Sequence, residues 1–292
     1  MRFFRHGDLL LGKDTEGMKE IDYKYRKLTE TLERAGRIAV AFSAGVDSTL
    51  LLRAAADALG ADHVLAVTAL SHSFPERENR EAEQLCRDYG VRRILVEVDQ
   101  LSIPGFRENP PDRCYLCKKV LFSKMIEAAW ERGFDKMAEG SNIDDLSDYR
   151  PGLKAVAELG VISPLREAGL SKSEIRELSG QLGLPTWNKP SFACLATRFV
   201  YGETISNEKL LRVEKSEGLL QDLGFGQFRV RIHGEDGRLA RIEVPQSEFG
   251  KLMERRQEIT RKLREFGFSY VSLDLEGYRI GSMNEVLPEI TE

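Results

Sequence analysis

A chain of 292 residues, at roughly 100 to 200 residues per domain, favours two domains and excludes a small disulfide-stapled module. With 41% hydrophobic and 31% charged residues it is composed like an ordinary globular protein and is too polar to be membrane-embedded. Lys+Arg 43 against Asp+Glu 47 gives a formal charge of -4, which argues against a dedicated nucleic-acid binder while leaving room for a local basic groove.

The N-terminus reaches only the short run Leu9-Leu10-Leu11 before charge resumes, too little for a signal-peptide core. No later stretch approaches the ~20 apolar residues of a membrane span, so a cytoplasmic protein without a membrane partner is expected. Residues 1–17 match no motif and are read as an N-terminal extension, with Met18 as an alternative start.

Arg37 to Phe42 reads as a buried strand, Asp47 to Leu59 as a helix and His63 to Leu70 as a second strand. Glu76 to Tyr89 is an amphipathic helix, Arg93 to Val98 a third strand, Cys117 to Gly133 a helix and Lys136 to Glu139 a short fourth strand. This βαβα alternation predicts an α/β fold, a doubly wound and mostly parallel sheet whose ligands bind beyond the carboxyl ends of the strands. Ser171-Lys172-Ser173-Glu174 has capping-box spacing and opens a helix ending before Gly183. After residue 190 the pattern changes to a helix over Ser206 to Leu223, strands Phe228 to Ile232 and Leu239 to Val244, a helix Gln246 to Phe266 and a strand Tyr270 to Leu275. Consecutive antiparallel strands flanked by helices predict a smaller C-terminal α+β domain over 191–292, after a nucleotide-binding domain over 18–190.

The sharpest local signal is Ser43-Ala44-Gly45-Val46-Asp47-Ser48, where the first strand runs into small residues and then a helix. Gly45 is expected to take a positive φ and Ala44 a negative one, so that backbone N–H groups converge on an anion at the helix N-terminus. Asp47 suits a Mg²⁺ bridging phosphates, and Ser43 and Ser48 can donate hydroxyl hydrogen bonds. An Asp cap after a tight turn would read the same way. The string is neither a Walker A motif nor a dinucleotide fingerprint.

Cys114 and Cys117 follow the third strand one helical turn apart, with Arg113, Lys118 and Lys119 beside them to offset thiolate charge. Such a pair suits a metal or a merely structural helix start. Cys194, between Phe192 and Leu195, reads on its own as a small buried residue. Cys86 reads as buried and inert, and His63, His72 and His233 lack ligand spacing. Arg229 and Arg231 project from the same face of a predicted strand, a pair that suits a phosphate or a solvated surface equally.

Taken together, these strings resemble known proteins. The loop resembles Ser-Gly-Gly-x-Asp-Ser of the PP-loop ATP pyrophosphatases, departing from it at Ala44. With Arg113 to Lys118, Glu139 to Asp145 through Arg150-Pro151-Gly152, Asn188 to Phe199 and Leu273 to Arg279, the chain resembles the LarE family over about Met18 to Pro288. That family comprises ATP-dependent sulfur transferases of nickel-pincer nucleotide cofactor biosynthesis. The resemblance implies a pyridinium-3,5-biscarboxylic acid mononucleotide substrate, whose carboxylates are adenylated with release of pyrophosphate and converted to thiocarboxylates.

It also implies site residues. ATP would meet Ser43, Ala44, Gly45, Val46, Asp47 and Ser48, the adenine would meet Ala69, Leu70 and Ser71, and Gly140, Ser141 and Asn142 would line the same edge. Asp145, Asp148 and Arg150 continue that loop. Asp47, Lys118, Arg198 and Cys194 would be catalytic, Arg229, Arg231 and Arg279 would hold the substrate, and Glu217 and Glu243 a metal ion. Cys114, Cys117 and Cys194 resemble the family branch that holds a 4Fe-4S cluster on three thiolates and draws on an external sulfide source. In the other branch the cysteine at the position of Cys194 gives up its own sulfur and the protein acts once. A homo-oligomer, of which a hexamer is one form, is implied as well. The rival within the superfamily, a tRNA thiolation enzyme, is disfavoured by the overall acidity, and a non-catalytic nucleotide-binding or iron-sulfur regulator by the joint presence of the adenylation and sulfur-transfer residues.

Overall fold

The computed structural model describes residues 19–146, 151–190 and 193–286. The N-terminal extension with Met18, and Asp148 and Arg150, lie outside the described residues. The chain forms two compact units interleaved in sequence. The first comprises the chain up to Leu70, Glu76–Val98 and Lys118–Lys189, and the second Ser71–Pro75, Asp99–Cys117 and the chain from Pro190 onward.

The first unit opens with helix α1 (Glu20–Ala35), whose buried stripe is Ile21, Leu28, Thr31 and Leu32. Strand β1 (Ile38–Ala41) leads to α2 (Val46–Leu59), β2 (Val64–Leu70), α3 (Glu76–Asp88) and β3 (Arg92–Glu97). Helix α4 (Arg113–Trp130) precedes β4 (Met137–Ala138), α5 (Pro151–Glu158), α6 (Pro164–Glu167) and α7 (Lys172–Gln181). The expected parallel sheet is present, in the order β3-β2-β1-β4. The chain leaves β1 towards β2 on one side and returns to β4 on the other, so the topological switch point lies between the carboxyl ends of β1 and β4. Helix α2 sits behind that point and is apolar nearly all round, with Val46, Leu50, Leu51, Leu52, Ala54 and Ala55 buried. That burial fixes the helix whose first turn follows β1. Removing a leucine such as Leu50, which is wholly buried, would cost about 2–5 kcal/mol.

The second unit carries α8 (Asn207–Asp222), capped by the Ser206 hydroxyl, which accepts from the Lys209 amide at 3.3 Å. Strands β5 (Arg229–His233) and β6 (Leu239–Glu243) form the expected antiparallel hairpin, with Arg229 opposite Glu243. Two expectations need correction here. The single helix over 246–266 is two helices, α9 (Phe249–Glu254) and α10 (Arg256–Glu265), because Arg255 sits at φ -94 and ψ 8 and breaks the run. Strand β7 (Tyr270–Leu273) pairs with β6 in parallel, since the helical crossover returns the chain to the same end of the sheet. Phe228, Val230, Ile232, Ala240 and Ile242 from the sheet, Leu210, Val213 and Leu220 from α8, and Ile259 and Leu263 from α10 are buried as its core.

Candidate active site

At the switch point of the first unit, the phosphate loop closes on itself through its serines. Ser43 and Ser48 hydroxyls lie 3.2 Å apart, the Ser43 amide donates to Ser48 Oγ at 3.4 Å, and Ser48 Oγ donates to the Gly45 carbonyl at 3.2 Å. Ser43 is exposed and Val46 and Ser48 are buried, so the loop offers its outer edge to solvent. The backbone corrects the expected turn: Ala44 takes the left-handed conformation, φ 56, and Gly45 is extended at φ -78 and ψ 165. The site where the related motif has its first glycine is therefore the strained one, and here an alanine holds it with its side chain fully buried.

Gly140 and Asn142 complete this edge from the loop after β4. A Cβ at Gly140 would lie 3.1 Å from the Ser48 amide nitrogen and 3.3 Å from Asp47 Cβ, so the close approach of the two loops favours glycine. Asn142 Nδ2 donates to Asp47 Oδ1 at 3.1 Å. Ser141 turns away from that edge, its amide and hydroxyl both donating to Glu139 Oε2 at 3.1 and 2.6 Å. The Asn142 amide donates to Asp145 Oδ2 at 3.0 Å. Ala69 and Leu70, at the end of β2, are half-buried. Two lysines missed by the sequence reading reach the loop. Lys172 pairs with Asp47, and Lys189 donates to the Ala44 carbonyl at 3.1 Å. Lys172 lies inside the capping-box string and was legible only as a helix start.

Cys114, Cys117 and Cys194 all belong to the second unit, and Cys117 feels the charge of the other two. Helix α4 begins at Arg113, four residues earlier than expected, which places Cys114 and Cys117 in its first turns. Arg113 donates to the Asn109 side chain and, at 2.9 Å, to the Ala196 carbonyl, tying that helix start to the 3-10 turn Leu195–Arg198. Cys194 precedes this turn, and its carbonyl accepts from the Thr197 amide at 2.9 Å. All four cysteines are free. Burial, reinforced by the neighbouring Cys194 and Cys114, pushes the Cys117 thiol up to about 12, against the opposing hydrogen bond from Gln100 Nε2 at 3.0 Å. Cys114 lies 3.7 Å from an Arg113 nitrogen, and Cys194 is exposed. Cys86 is buried and its thiol is pushed up to about 11 by that burial, as an inert residue should be. Among the described residues no group of three or more His, Cys, Asp or Glu side chains is arranged to hold a metal ion.

Arg198 is wholly buried and grips Glu217 with two nitrogens, at 2.7 and 2.8 Å. Burial alone would raise the Glu217 carboxyl, but the Arg198 charge and hydrogen bonds, with Arg229 and the Val230 amide, outweigh it and hold the group below the ordinary range. Arg229 and Arg231 leave one face of β5 as expected, yet both are buried. Arg231 donates to Glu243 at 2.8 Å and to the Thr197 carbonyl at 3.0 Å, and its Nε has no hydrogen-bond partner among the described residues. Burial and the like charge of Arg198 pull the Arg229 guanidinium down to about 10. Glu217 and Glu243, expected as metal ligands, instead spend their oxygens on arginines, Ser282 and the Val230 amide. Arg279 is occupied at the surface by Glu276 and Glu285, Lys118 lies over the Phe122 ring at 5.9 Å, and Ser71 accepts from the Phe74 amide at 3.0 Å through its carbonyl.

No protein-family model matches the chain. It is 40% identical over 269 residues to an uncharacterised protein of Synechocystis sp., covering 91% of this chain and 99% of that one. It is 38% identical over 270 residues to the pyridinium-3,5-bisthiocarboxylic acid mononucleotide synthase of Lactiplantibacillus plantarum, covering 92% and 97%. A partial likeness, 30% over 161 residues, links it to the argininosuccinate synthase of Natronomonas pharaonis, across 51% of this chain and 40% of that one. The near-complete match to the named synthase, joined to a parallel sheet with its phosphate loop at the switch point, places the chain in the LarE family of the PP-loop superfamily.

Proposed function

We infer that the protein is an ATP-dependent sulfur insertase that converts pyridinium-3,5-biscarboxylic acid mononucleotide to its thiocarboxylic form. A substrate carboxylate oxygen attacks the α-phosphorus of ATP and pyrophosphate leaves. A sulfide sulfur then attacks the acyl adenylate, the new C–S bond replaces the C–O bond, and AMP departs. The Ser43 to Ser48 loop and Asn142 suit the triphosphate, with Asp47 and the Ser48 hydroxyl as the donors for Mg²⁺.

Arg229 and Arg231 suit the anionic substrate. Both guanidiniums are buried on one face of β5, and the proton affinity of Arg229 is lowered by burial and by the like charge of Arg198, an effect that a bound phosphate or carboxylate would oppose. Arg198 also donates to the carbonyls of Ala193 and Cys194, at 3.2 and 3.4 Å, so its first role is to hold the Cys194 turn.

The observation that carries the reading is the 38% identity to the named synthase over 92% of this chain, with the Ser43 to Ser48 loop at the switch point of the parallel sheet. On family likeness, Cys114, Cys117 and Cys194 would hold a 4Fe-4S cluster, with Arg113 beside the Cys114 sulfur and Gln100 beside that of Cys117. Bound there, such a cluster would supply an open iron able to carry sulfide. A second reading, in which Cys194 yields its own sulfur, rests on its being the exposed member of the trio. Cytoplasmic location and homo-oligomeric assembly belong to this reading on family likeness alone.

The test is pyrophosphate release by anaerobically purified protein. Release should depend on the dicarboxylate nucleotide and be lost in Asp47→Ala, whereas release driven by tRNA would overturn the substrate assignment. Iron and acid-labile sulfide separate the two sulfur sources. About four irons per chain, lost on changing any of the three cysteines to alanine, mark the cluster. A protein without iron after reconstitution marks Cys194 as the donor.

A further inference from the structure

Both lysines at the phosphate loop touch it, but they are held differently. Lys189 is 12% exposed and donates to Glu78 and Glu81, each at 2.6 Å, as well as to the Ala44 carbonyl. Two carboxylates cancel its charge, so it braces the left-handed residue of the loop and has little to offer an anion. Lys172 is 30% exposed and faces the single carboxylate of Asp47. Its backbone is fixed from several sides. The Lys172 amide donates to Asp144 Oδ2 at 2.8 Å, the Asp144 amide donates to Asn142 Oδ1 at 3.0 Å, and Asn142 reaches Asp47. On the other side Ser171 and Glu174 form a complete capping box, and Glu174 accepts from Lys24 at 2.7 Å. An anchored backbone with a half-open ammonium at the tip is the arrangement of a positioned, movable charge.

We propose that Lys172 binds the β- and γ-phosphates of ATP, the group that departs as pyrophosphate, and that Asp47 holds it in place while the loop is empty. ATP brings several negative charges to a loop that offers backbone N–H groups and serine hydroxyls. With ATP in the loop, the Lys172 ammonium would exchange the Asp47 carboxylate for the more highly charged phosphates, and Asp47 would be left to hold the accompanying cation. The exchange makes and breaks only ion pairs. AMP lacks the two phosphates in question, so Lys172 would contribute little to holding it, and pyrophosphate departure would let the lysine return to Asp47. This assignment rests on the adenylation reading above.

Equilibrium dialysis of Mg·ATP and of AMP against the full-length protein tests it. Hydrogen bonds between charged groups are worth about 1.5–3 kcal/mol, so Lys172→Ala should weaken ATP binding by roughly 10- to 100-fold. AMP affinity should change by less than about threefold, a fraction of one such bond. Lys172→Arg should restore the preference for ATP over AMP and Lys172→Gln should not, which distinguishes a charge role from a packing role even if the alanine variant folds poorly. Equal losses for ATP and AMP, an indifferent ATP affinity, or rescue by glutamine would overturn the assignment. Sulfur insertion that fails in the wild type while this lysine dependence holds would remove the sulfur-transfer reading alone. Sulfur insertion that proceeds with ATP binding indifferent to Lys172 would remove only the lysine.

Discussion

Ala44 and Gly45 show how a motif can be matched while its backbone is misread. The small-residue string resembles a phosphate loop, but a glycine can take either sign of φ, so the sequence does not say which of two neighbours turns left-handed. The structure gives that role to Ala44. Gly45→Ala should therefore hold stability within about 0.5 kcal/mol, because its extended backbone admits an L-residue and a Cβ there meets only Ser43 Oγ at 3.4 Å. Ala44→Val should cost about 1–3 kcal/mol, because a β-branched residue at positive φ is strongly disfavoured. Urea unfolding midpoints decide between them, and a larger loss at Gly45 would contradict the assignment. The cysteines make a second residue-scale case. Iodoacetamide at mildly alkaline pH should modify exposed Cys194 first in metal-free protein and spare Cys86 and Cys117, whose thiols burial pushes up to about 11 and 12. Peptide mapping that finds Cys117 among the first sites would show that the trio is not arranged as described.

At the scale of elements, the alternating strands and helices of the first unit were legible because burial imposes clear periods. The carboxyl edge of the sheet then fixed where the loop and Asn142 would fall. Helix α1 was not legible: its stripe of Ile21, Leu28, Thr31 and Leu32 is thin within a strongly polar run. The direction of β7 was hidden as well, since pattern gives a strand's faces but not its neighbour's direction. Arg198, Glu217, Arg229, Arg231 and Glu243 were singled out by resemblance, but strand spacing alone suited a solvated face. What spacing could not reveal is that the arginines bind the glutamates. Glu217→Gln leaves the Arg198 charge buried without its counter-ion, which should cost about 3–5 kcal/mol of stability at neutral pH. The pH dependence follows from the lowered carboxyl. Glu217 titrates below its ordinary 4.5 when folded, so its stabilisation is present above 4.5 and is lost as pH falls through the lower folded value. Thermal melts of wild type and Glu217→Gln should thus differ at neutral pH and converge in acid. A gap that widened with acidification would contradict the pairing.

Across the whole molecule, the residues proposed to bind phosphate fall in one unit and Cys114, Cys117 and Cys194 with the buried arginines in the other. ATP should therefore protect a limited part of the chain. Hydrogen exchange should slow in Ser43 to Ser48, in Gly140 to Leu146 and around Lys172, while the Arg229 to Glu243 hairpin responds to the dicarboxylate nucleotide instead. Protection by ATP confined to the hairpin would reverse that division. No helix among the described residues is long and apolar enough to cross a membrane, and the -4 charge offers a polyanion such as tRNA little general attraction. The most direct single measurement is the mass of the pyridinium dicarboxylate nucleotide after anaerobic incubation with reconstituted protein, Mg²⁺ and ATP. Sulfur insertion predicts replacement of carboxylate oxygen by sulfur with one AMP formed per exchange. AMP formed without any sulfur gained, or an unchanged nucleotide beside consumed ATP, would contradict it.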